Sequence, residues 1–265
     1  MLLAIDAGNT NAVFALLDGD DIVRKWRIST KDARTADEYM VWISQLMRLA
    51  DLTPTDVHGA IIATVVPQGL LQLVLLCRRY FECEPLVVGD PEVDLGVKIL
   101  IRNPDEVGAD RLVNAVAAHE LHNSGGLIVV DFGTATTFDV VGADGDYLGG
   151  VICPGINLSL RALHEAAAKL PRIAVEEPTT NRVTGQSTIE AMQSGVFWGY
   201  IGLIEGICQR LKAEHDGPMK VIGTGGLAKI FQGHTNAIDA VDHDLTIHGL
   251  RLIYERNAST VEPVR

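Results

Sequence analysis

Short apolar runs alternate with longer amphipathic stretches along the N-terminal half of the chain. Runs at residues 2–5, 13–17 and 22–28 are separated by the polar turns Gly-Asn-Thr and Asp-Gly-Asp. Runs bounded in this way are typical of strands, so they predict a β-meander. From Thr35 the apolar positions take the spacing of a helix, with acids in the first turn where the helix dipole favours them. A strand-like run at 60–66, a helical stretch at 70–77 and a strand at 86–89 follow, which predicts an α/β fold.

The C-terminal half repeats this order. Strand-like runs at 127–131, 136–141 and 147–152 again enclose a Gly-Thr turn and an Asp-Gly-Asp turn. The longest helical stretch starts at Ser187, and Glu190 three residues later fits the pattern of a capping box. A strand from Val221 and a helix from Leu245 to Tyr254 complete the repeat. We therefore predict two domains of similar architecture, residues 1–118 and 119–265.

Composition and charge narrow the class of protein. The 265 residues include 22 Lys and Arg against 34 Asp and Glu, a net charge of −12. We expect no nucleic-acid partner, because that binding depends on clustered basic residues. The N-terminus lacks the pattern of a secretory leader, and no apolar run is long enough to span a bilayer, so we expect a cytoplasmic protein without a membrane partner. The four cysteines do not have the spacing of a zinc site or a disulfide framework.

The two Gly-Thr turns are candidate phosphate loops. The first is Asp6-Ala7-Gly8-Asn9-Thr10-Asn11 and the second runs from Asp131 through Thr134 to Thr137. Each is also compatible with an ordinary tight turn in which polar side chains satisfy local backbone donors. The repetition favours phosphate binding, because two facing hairpins clamp one polyphosphate through backbone N–H groups while Asp6 holds a bridging cation.

A third glycine-rich segment, Gly223 to Ala228, has two interpretations. It matches a G-x-G-x-x-A dinucleotide fingerprint, with Asp242 at the spacing of the ribose-binding acid, which would indicate an NAD-dependent oxidoreductase. However, too little chain follows it for a doubly wound sheet, so a turn that contacts adenosine, with Gly225 at its centre, fits better. The chain contains no GxxxxGK[ST] segment, which excludes a P-loop.

The segment from Pro104 to Arg111 is the fourth candidate. Acidic residues after a proline are ordinary at the start of a helix. Alternatively, Asp110 next to Arg111 places a proton acceptor beside an anion-binding group, which suits a hydroxyl substrate that carries a carboxylate.

Together these segments closely resemble the type III pantothenate kinases, also known as Bvg accessory factors. The resemblance is carried, in order along the chain, by Asp6 to Asn11, Asn103-Pro104, Gly108 to Arg111, Asp131 to Thr137, Gly149 to Gly155, Thr188 to Gly195 and Gly223 to Ala228. It implies the fold of the acetate and sugar kinase, Hsp70 and actin superfamily. That fold has two ribonuclease H-like domains, with mixed β-sheets flanked by helices and ATP in the cleft.

The resemblance also implies the activity and its residues. The activity is ATP-dependent phosphorylation of pantothenate to 4′-phosphopantothenate, the first step of coenzyme A biosynthesis. Asp110 is implied as the catalytic proton acceptor. The ATP-binding residues are Asp6, Ala7, Gly8, Asn9, Thr10, Asn11, Ala12, Val13, Thr134 and Gly225, and the substrate-binding residues are Gly108, Ala109, Asp110, Arg111 and Thr188.

The resemblance also has implications for bound ions and for assembly, and at one position the sequence departs from the family pattern. Asp131 is expected to bind a monovalent cation, K⁺ or NH₄⁺, and Asp6 to assist Mg²⁺ bound with ATP. A homodimer is expected, with Thr188 reaching the neighbouring subunit's substrate. Ile101 stands where many members have a tyrosine that contacts pantothenate. The alternative is a regulatory protein of the same fold without catalysis, which the presence of Asp6, Asp110 and Asp131 opposes.

Overall fold

A computed structural model describes residues 1–30, 34–122, 125–167, 170–178 and 182–258. The strands are β1 (Leu2–Ala7), β2 (Asn11–Asp18), β3 (Asp21–Ser29), β4 (Gly59–Thr64), β5 (Pro85–Val87), β6 (Gly126–Phe132), β7 (Ala135–Val141), β8 (Tyr147–Pro154), β9 (Met219–Thr224) and β10 (Ala240–Val241). The helices are α1 (Ala36–Leu49), α2 (Pro67–Tyr80), α3 (Ala109–His122), α4 (Ile156–Ala166), α5 (Thr188–Glu214), α6 (Ala228–Phe231) and α7 (Leu245–Asn257).

The described residues form two compact units. One comprises Met1–Leu121 with the C-terminal residues from Leu245, and the other His122–Asp244. Each unit contains a five-stranded sheet, in the order β3-β2-β1-β4-β5 and β10-β9-β6-β7-β8 respectively. In each sheet, the three strands that come first in the sequence form an antiparallel meander. The two strands that follow them in the sequence run parallel to the first strand of this meander. Both sheets are therefore mixed and share one topology, as the repeat in the sequence predicted.

The first unit has a hydrophobic layer on each side of its sheet. On one side Phe14 packs in a cluster with Ile43 of α1 and Leu73 of α2. On the other side Ile61 of β4 packs in a cluster with Val113 of α3 and with residues of α7. Because both faces of the central strands are covered, β1 and β4 consist of nearly continuous apolar runs rather than an alternating pattern.

The ends of two helices are fixed by side-chain caps. Thr35 and Glu38 form a complete capping box at the start of α1. At α5 the predicted box is half formed, because the Ser187 hydroxyl accepts the Glu190 N–H at 3.2 Å but the Glu190 carboxylate accepts the N–H of Gln186. Both caps satisfy N–H groups that a helix leaves without an internal acceptor.

The second unit is organised around α5. Phe197 and Tyr200 from this helix pack with Phe231 of α6 and with Phe138 of β7, in a cluster that also takes in Ile204. The rings of Phe197 and Phe231 are stacked with centroids 5.9 Å apart. One face of the long helix is therefore buried in the core of its own unit.

The two units differ from the predicted domains at the C-terminus. The prediction assigned everything from residue 119 onward to the second domain, whereas α7 groups with the first unit. Ile247, Leu250 and Ile253 of α7 are buried in the cluster that contains Ala4 of β1 and Ile61 of β4. The amphipathic pattern identified this helix but carried no information on which sheet it packs against.

Candidate active site

The first candidate phosphate loop connects β1 and β2. Asp6 lies opposite Val13 and Ala7 opposite Ala12 in the last pairs of the ladder. The turn closes with the Gly8 N–H donating to the Asn11 carbonyl at 3.0 Å. Residues 6 to 13 thus form one hairpin, in which Asn9 and Thr10 are exposed at the tip.

The carbonyl groups of this loop are held by residues outside it. The Thr30 hydroxyl donates to the Gly8 carbonyl at 2.8 Å, and the Thr30 N–H donates to the Thr10 carbonyl at 3.0 Å. The Thr64 hydroxyl donates to the Ala7 carbonyl at 3.2 Å. Because the N–H and C=O of a trans peptide point in opposite directions, fixing the Gly8 carbonyl turns the Asn9 N–H to the other side of the peptide. This orientation suits an anion-binding backbone.

The second candidate loop connects β6 and β7. It is shorter, since the Gly133 N–H donates to the Ala135 carbonyl at 3.0 Å. Gly133 and Thr134 are exposed. The Gly155 N–H donates to the Thr134 carbonyl at 3.1 Å, and a Cβ atom at residue 155 would lie 2.2 Å from that oxygen. Glycine is therefore required where the end of β8 passes over the turn.

Asp131 and Gly225 lie against each other. Asp131 is the next-to-last residue of β6, opposite Thr137 on one side and Thr224 on the other. A Cβ atom at residue 225 would lie 2.5 Å from Asp131 Oδ1 and 2.9 Å from the Phe132 carbonyl oxygen, and the φ angle of 88° also favours glycine. A carboxylate and a carbonyl oxygen thus meet beside a residue without a side chain, and both are ligands that hard cations prefer.

The glycine-rich segment that contains Gly225 follows β9 and leads into α6, a helix of only four residues. A dinucleotide fingerprint would need a long helix at this point and a first βα unit of a parallel sheet. The local structure fits a turn that contacts a nucleotide better than it fits the oxidoreductase interpretation.

The candidate substrate segment lies at the start of α3. Pro104–Glu106 is a single 3-10 turn, and the α-helix begins only at Ala109. Asp110 is in the first helical turn, and its Oδ1 accepts the Arg111 N–H at 2.8 Å. A Cβ atom at residue 108 would lie 2.6 Å from the same Oδ1. Gly108 therefore leaves the room that the Asp110 carboxylate occupies.

Thr188 and Ile101 are the remaining candidates. Thr188 is the first residue of α5 and is exposed. Ile101 is half-buried in the segment that precedes the 3-10 turn. Among the described residues no group of three or more His, Cys, Asp and Glu could hold a metal ion.

Three supporting residues were missed by sequence reasoning. Thr30 holds the first loop, as described above. Tyr200 donates to the Pro154 carbonyl beside the second loop. Asp139 is fully buried and accepts hydrogen bonds from Tyr147 and Thr137. The contacts of Thr30 and Tyr200 join residues 22 and 46 positions apart, so the local pattern contained no signal for them. The partners of Asp139 are only 2 and 8 positions away, on the same strand and on the next one.

Comparison with known sequences identifies a family. The sequence model of the type III pantothenate kinases matches residues 2–210. A type III pantothenate kinase of Paramagnetospirillum magneticum is 60% identical over 261 residues, which cover 98% of this chain and 99% of that protein. Those of Rhodospirillum rubrum and Caulobacter vibrioides are 58% and 56% identical, over 97% of this chain and 99% and 98% of their own lengths.

Solved structures with low sequence identity share the fold. A conserved Campylobacter jejuni protein assigned to the Baf family of transcriptional activators superposes with a TM-score of 0.59 at 18% identity, over 97% of this chain and 99% of that one. The activator of 2-hydroxyisocaproyl-CoA dehydratase from Clostridium difficile, solved with ADPNP, gives 0.55 at 13% identity, over 98% and 96%. The chain therefore shares the α/β fold of these two proteins, with two mixed sheets flanked by helices. No described helix is long and apolar enough to cross a membrane.

Proposed function

The chain belongs to the type III pantothenate kinase family, and we propose that the sites described above divide the reaction of this family among three groups of residues. The enzyme transfers the γ-phosphoryl group of ATP to the primary hydroxyl of pantothenate, the first step of coenzyme A biosynthesis. The observation that supports this activity is the 60% identity to a type III pantothenate kinase over 98% of the chain. ATP is used with a divalent metal ion.

The first group binds ATP. The hairpin from Asp6 to Val13 supplies backbone N–H groups to the phosphates, and Thr134 and Gly225 contact the nucleotide. The support is the backbone orientation, since Thr30 and Gly155 hold the carbonyls of Gly8 and Thr134. Magnesium, which neutralises phosphate charge when bound, would be held by Asp6 together with phosphate oxygens.

The second group binds pantothenate and accepts its proton. Arg111 binds the substrate carboxylate, and Gly108 and Ala109 contact the substrate. As the bond from the hydroxyl oxygen to the γ-phosphorus forms and the bond to the β,γ-bridging oxygen breaks, the hydroxyl proton passes to Asp110. The N–H of Arg111 fixes Oδ1 of this carboxylate, and Gly108 leaves it space. Such transfer depends mainly on positioning and charge.

The third group holds a monovalent cation, K⁺ or NH₄⁺. Asp131 Oδ1 and the Phe132 carbonyl, which both lie close to Gly225, would provide oxygen ligands. When bound, the cation would supply positive charge, which stabilises a transferring phosphoryl group.

The enzyme is further proposed to work as a homodimer. Phe197, Tyr200 and Ile201 of α5 are buried in the core of their own unit, so these side chains do not supply a dimer face. Exposed glycines on the same helix offer one. Gly195, Gly199 and Gly202 recur along the outer side of α5, and a Cβ atom at each would meet no described atom within 4 Å. Such a face allows another backbone to approach closely.

The activity is tested with a coupled assay of ADP formation. We expect ATP turnover that depends on added pantothenate, with a product one phosphate heavier than pantothenate by mass spectrometry. ATP turnover that is the same with and without pantothenate would contradict the proposed reaction. Absence of any turnover would favour the regulatory alternative.

Asp110→Asn tests the proton acceptor. The amide keeps the shape of the side chain but is not basic, so we expect kcat to fall by about 10²–10⁴. ATP affinity, measured by calorimetric titration, should remain within a factor of about three, because Asp110 is not assigned to ATP. Near-native turnover would assign the proton to another group.

Asp131→Ala tests the cation site. Wild-type rates should be low in Na⁺ and rise with K⁺ or NH₄⁺, whereas the variant should have the same low rate in all three salts. Binding is measured separately by the shift in Tm when K⁺ replaces Na⁺ at constant ionic strength, which the variant should lose. Equal wild-type rates in the three salts would refute the proposal.

A further inference from the structure

The hydroxyl of Tyr200 lies at the point where three elements of the second unit meet. It donates to the Pro154 carbonyl at the end of β8 at 2.5 Å. It lies 3.2 Å from the hydroxyl of Ser159 in α4. It is also hydrogen-bonded to Thr136 at the start of β7. Pro154 pairs with Ala135, so the end of β8 lies beside the turn at Gly133 and Thr134.

The direction of each hydrogen bond at Tyr200 follows from the single proton of its phenol. A phenol has one proton, and here the Pro154 carbonyl, which only accepts, receives it. The Ser159 hydroxyl therefore donates to Tyr200 rather than accepting from it. Burial raises the pKa of Tyr200, and the hydrogen bonds from Ser159 and Thr136 act in the opposite direction. The phenol consequently remains a donor at neutral pH.

The Pro154 carbonyl and the Gly155 N–H belong to the same peptide group. The Tyr200 hydroxyl donates to the oxygen of this peptide, and the N–H of the same peptide, which belongs to Gly155, donates to the Thr134 carbonyl at 3.1 Å. Because a trans peptide is planar and directs these two groups oppositely, fixing the oxygen also fixes the N–H. Hydrogen bonds that share one peptide also polarise it and strengthen one another.

Close contacts allow only glycine at residue 155. A Cβ atom at residue 155 would lie 2.2 Å from the Thr134 carbonyl oxygen and 2.7 Å from that of Gly133. The peptide from Pro154 to Gly155 therefore presses closely on the turn, and a small rotation of the peptide would move Thr134.

We propose that Tyr200 is a positioning residue for nucleotide binding, which sets the orientation of Thr134 through the peptide between Pro154 and Gly155. This inference rests on the proposed contact of Thr134 with ATP. Tyr200 itself does not touch the nucleotide. Its role is to keep the turn at Gly133 and Thr134 in the binding geometry before the nucleotide arrives, which lowers the ordering cost of binding.

Tyr200→Phe tests the proposal, because it removes one oxygen and keeps the ring packed near Phe231. We expect the Kd for ADP, measured by calorimetric titration without pantothenate, to rise by about three- to tenfold, since the free energy of one hydrogen bond limits the ordering cost that Tyr200 removes. The KM for ATP should rise similarly while the KM for pantothenate changes less than about twofold. Gly155→Ala should weaken ADP binding at least as much, because its Cβ displaces the same turn.

Tyr80→Phe is the matched control. It removes a tyrosine hydroxyl that donates to Asp37 at 2.6 Å in the first unit. We expect its Kd for ADP to equal that of the wild type. An unchanged Kd in folded Tyr200→Phe, or an equal rise in the control, would overturn the proposal. Since ADP binding requires no phosphoryl acceptor, this result is independent of whether pantothenate is phosphorylated.

Discussion

Cys208 shows how burial of a single side chain makes stability depend on pH. The thiol lies on α5 with 2% of its surface exposed. Burial raises its pKa to about 12, with Lys212 lowering and Asp239 raising it to smaller extents. In the unfolded chain the thiol loses its proton near the ordinary value of 9.0. Between these two values the unfolded state binds fewer protons than the folded state, so the free energy of unfolding decreases as pH rises.

This difference predicts a measurable alkaline loss of stability. At 1.36 kcal/mol for each pH unit above 9, Cys208 should account for about 2 kcal/mol lost between pH 8 and pH 10.5. Urea unfolding at the two pH values measures it. Cys208→Ala is less stable at the lower pH because of the cavity, but it should lose about 2 kcal/mol less on the change. Cys153→Ala, in which a half-buried thiol is removed, is the control. Equal losses in wild type and Cys208→Ala would contradict the prediction.

Individual site residues differed in how far the sequence could predict them. The loops around Gly8 and Gly133 were recognised because turn residues, hydroxyls and an aspartate occur within a few positions, and both are turns in the structure. Asp110 was a candidate by its neighbours in sequence, and its role as proton acceptor stays a prediction. Thr30 and Tyr200 could not be found, because their function depends on hydrogen bonds to loops 20 or more residues away.

At the scale of elements, the period of apolar residues predicted most strands and helices to within a few positions. The start of α3 was left open by the sequence, because acidic residues after Pro104 are ordinary at the start of a helix whereas Gly108 opposes one. The structure has a 3-10 turn there, and Gly108 separates it from the helix. Glycine is a poor helix former, which agrees with a helix that begins only after it.

The packing of α7 on α3 leads to a prediction about Gly249. A Cβ atom at this residue would lie 2.3 Å from the Val113 carbonyl oxygen, and a backbone atom cannot move aside without displacing its helix. Gly249→Ala should therefore destabilise the protein by about 1–3 kcal/mol despite the better helix propensity of alanine.

Gly69→Ala is the matched control for this contact. Gly69 lies in α2 of the same unit, and a Cβ there would meet no described atom within 4 Å. Its substitution should leave stability unchanged or increase it by up to about 1 kcal/mol. Thermal and urea unfolding of both variants measure the difference. If Gly249→Ala loses no more stability than Gly69→Ala, α7 moves away from α3 without a cost in free energy.

At the scale of the whole molecule, the repeated sequence order corresponds to two sheets with the same strand order. Asp6 and Asp131 occupy equivalent places, each next to last in the central strand of its sheet. The repeat could therefore be predicted from the sequence. The return of α7 to the first unit could not, because the period of a helix does not indicate which apolar sheet face the helix covers.

The proposed homodimer brings together residues of two subunits, which leads to the last prediction. If Thr188 of one subunit contacts the substrate held by Asp110 of the other, Asp110→Asn and Thr188→Arg are each inactive as homodimers. In a mixed dimer, one of the two sites combines an intact Asp110 with an intact Thr188, and the other site carries both substitutions. An equal mixture after complete exchange contains half mixed dimers, so activity should return to about a quarter of the wild-type value. Sedimentation at the assay concentration checks the dimer, and differently tagged subunits confirm the exchange. Without recovery after that confirmation, each site would have to be formed by one chain.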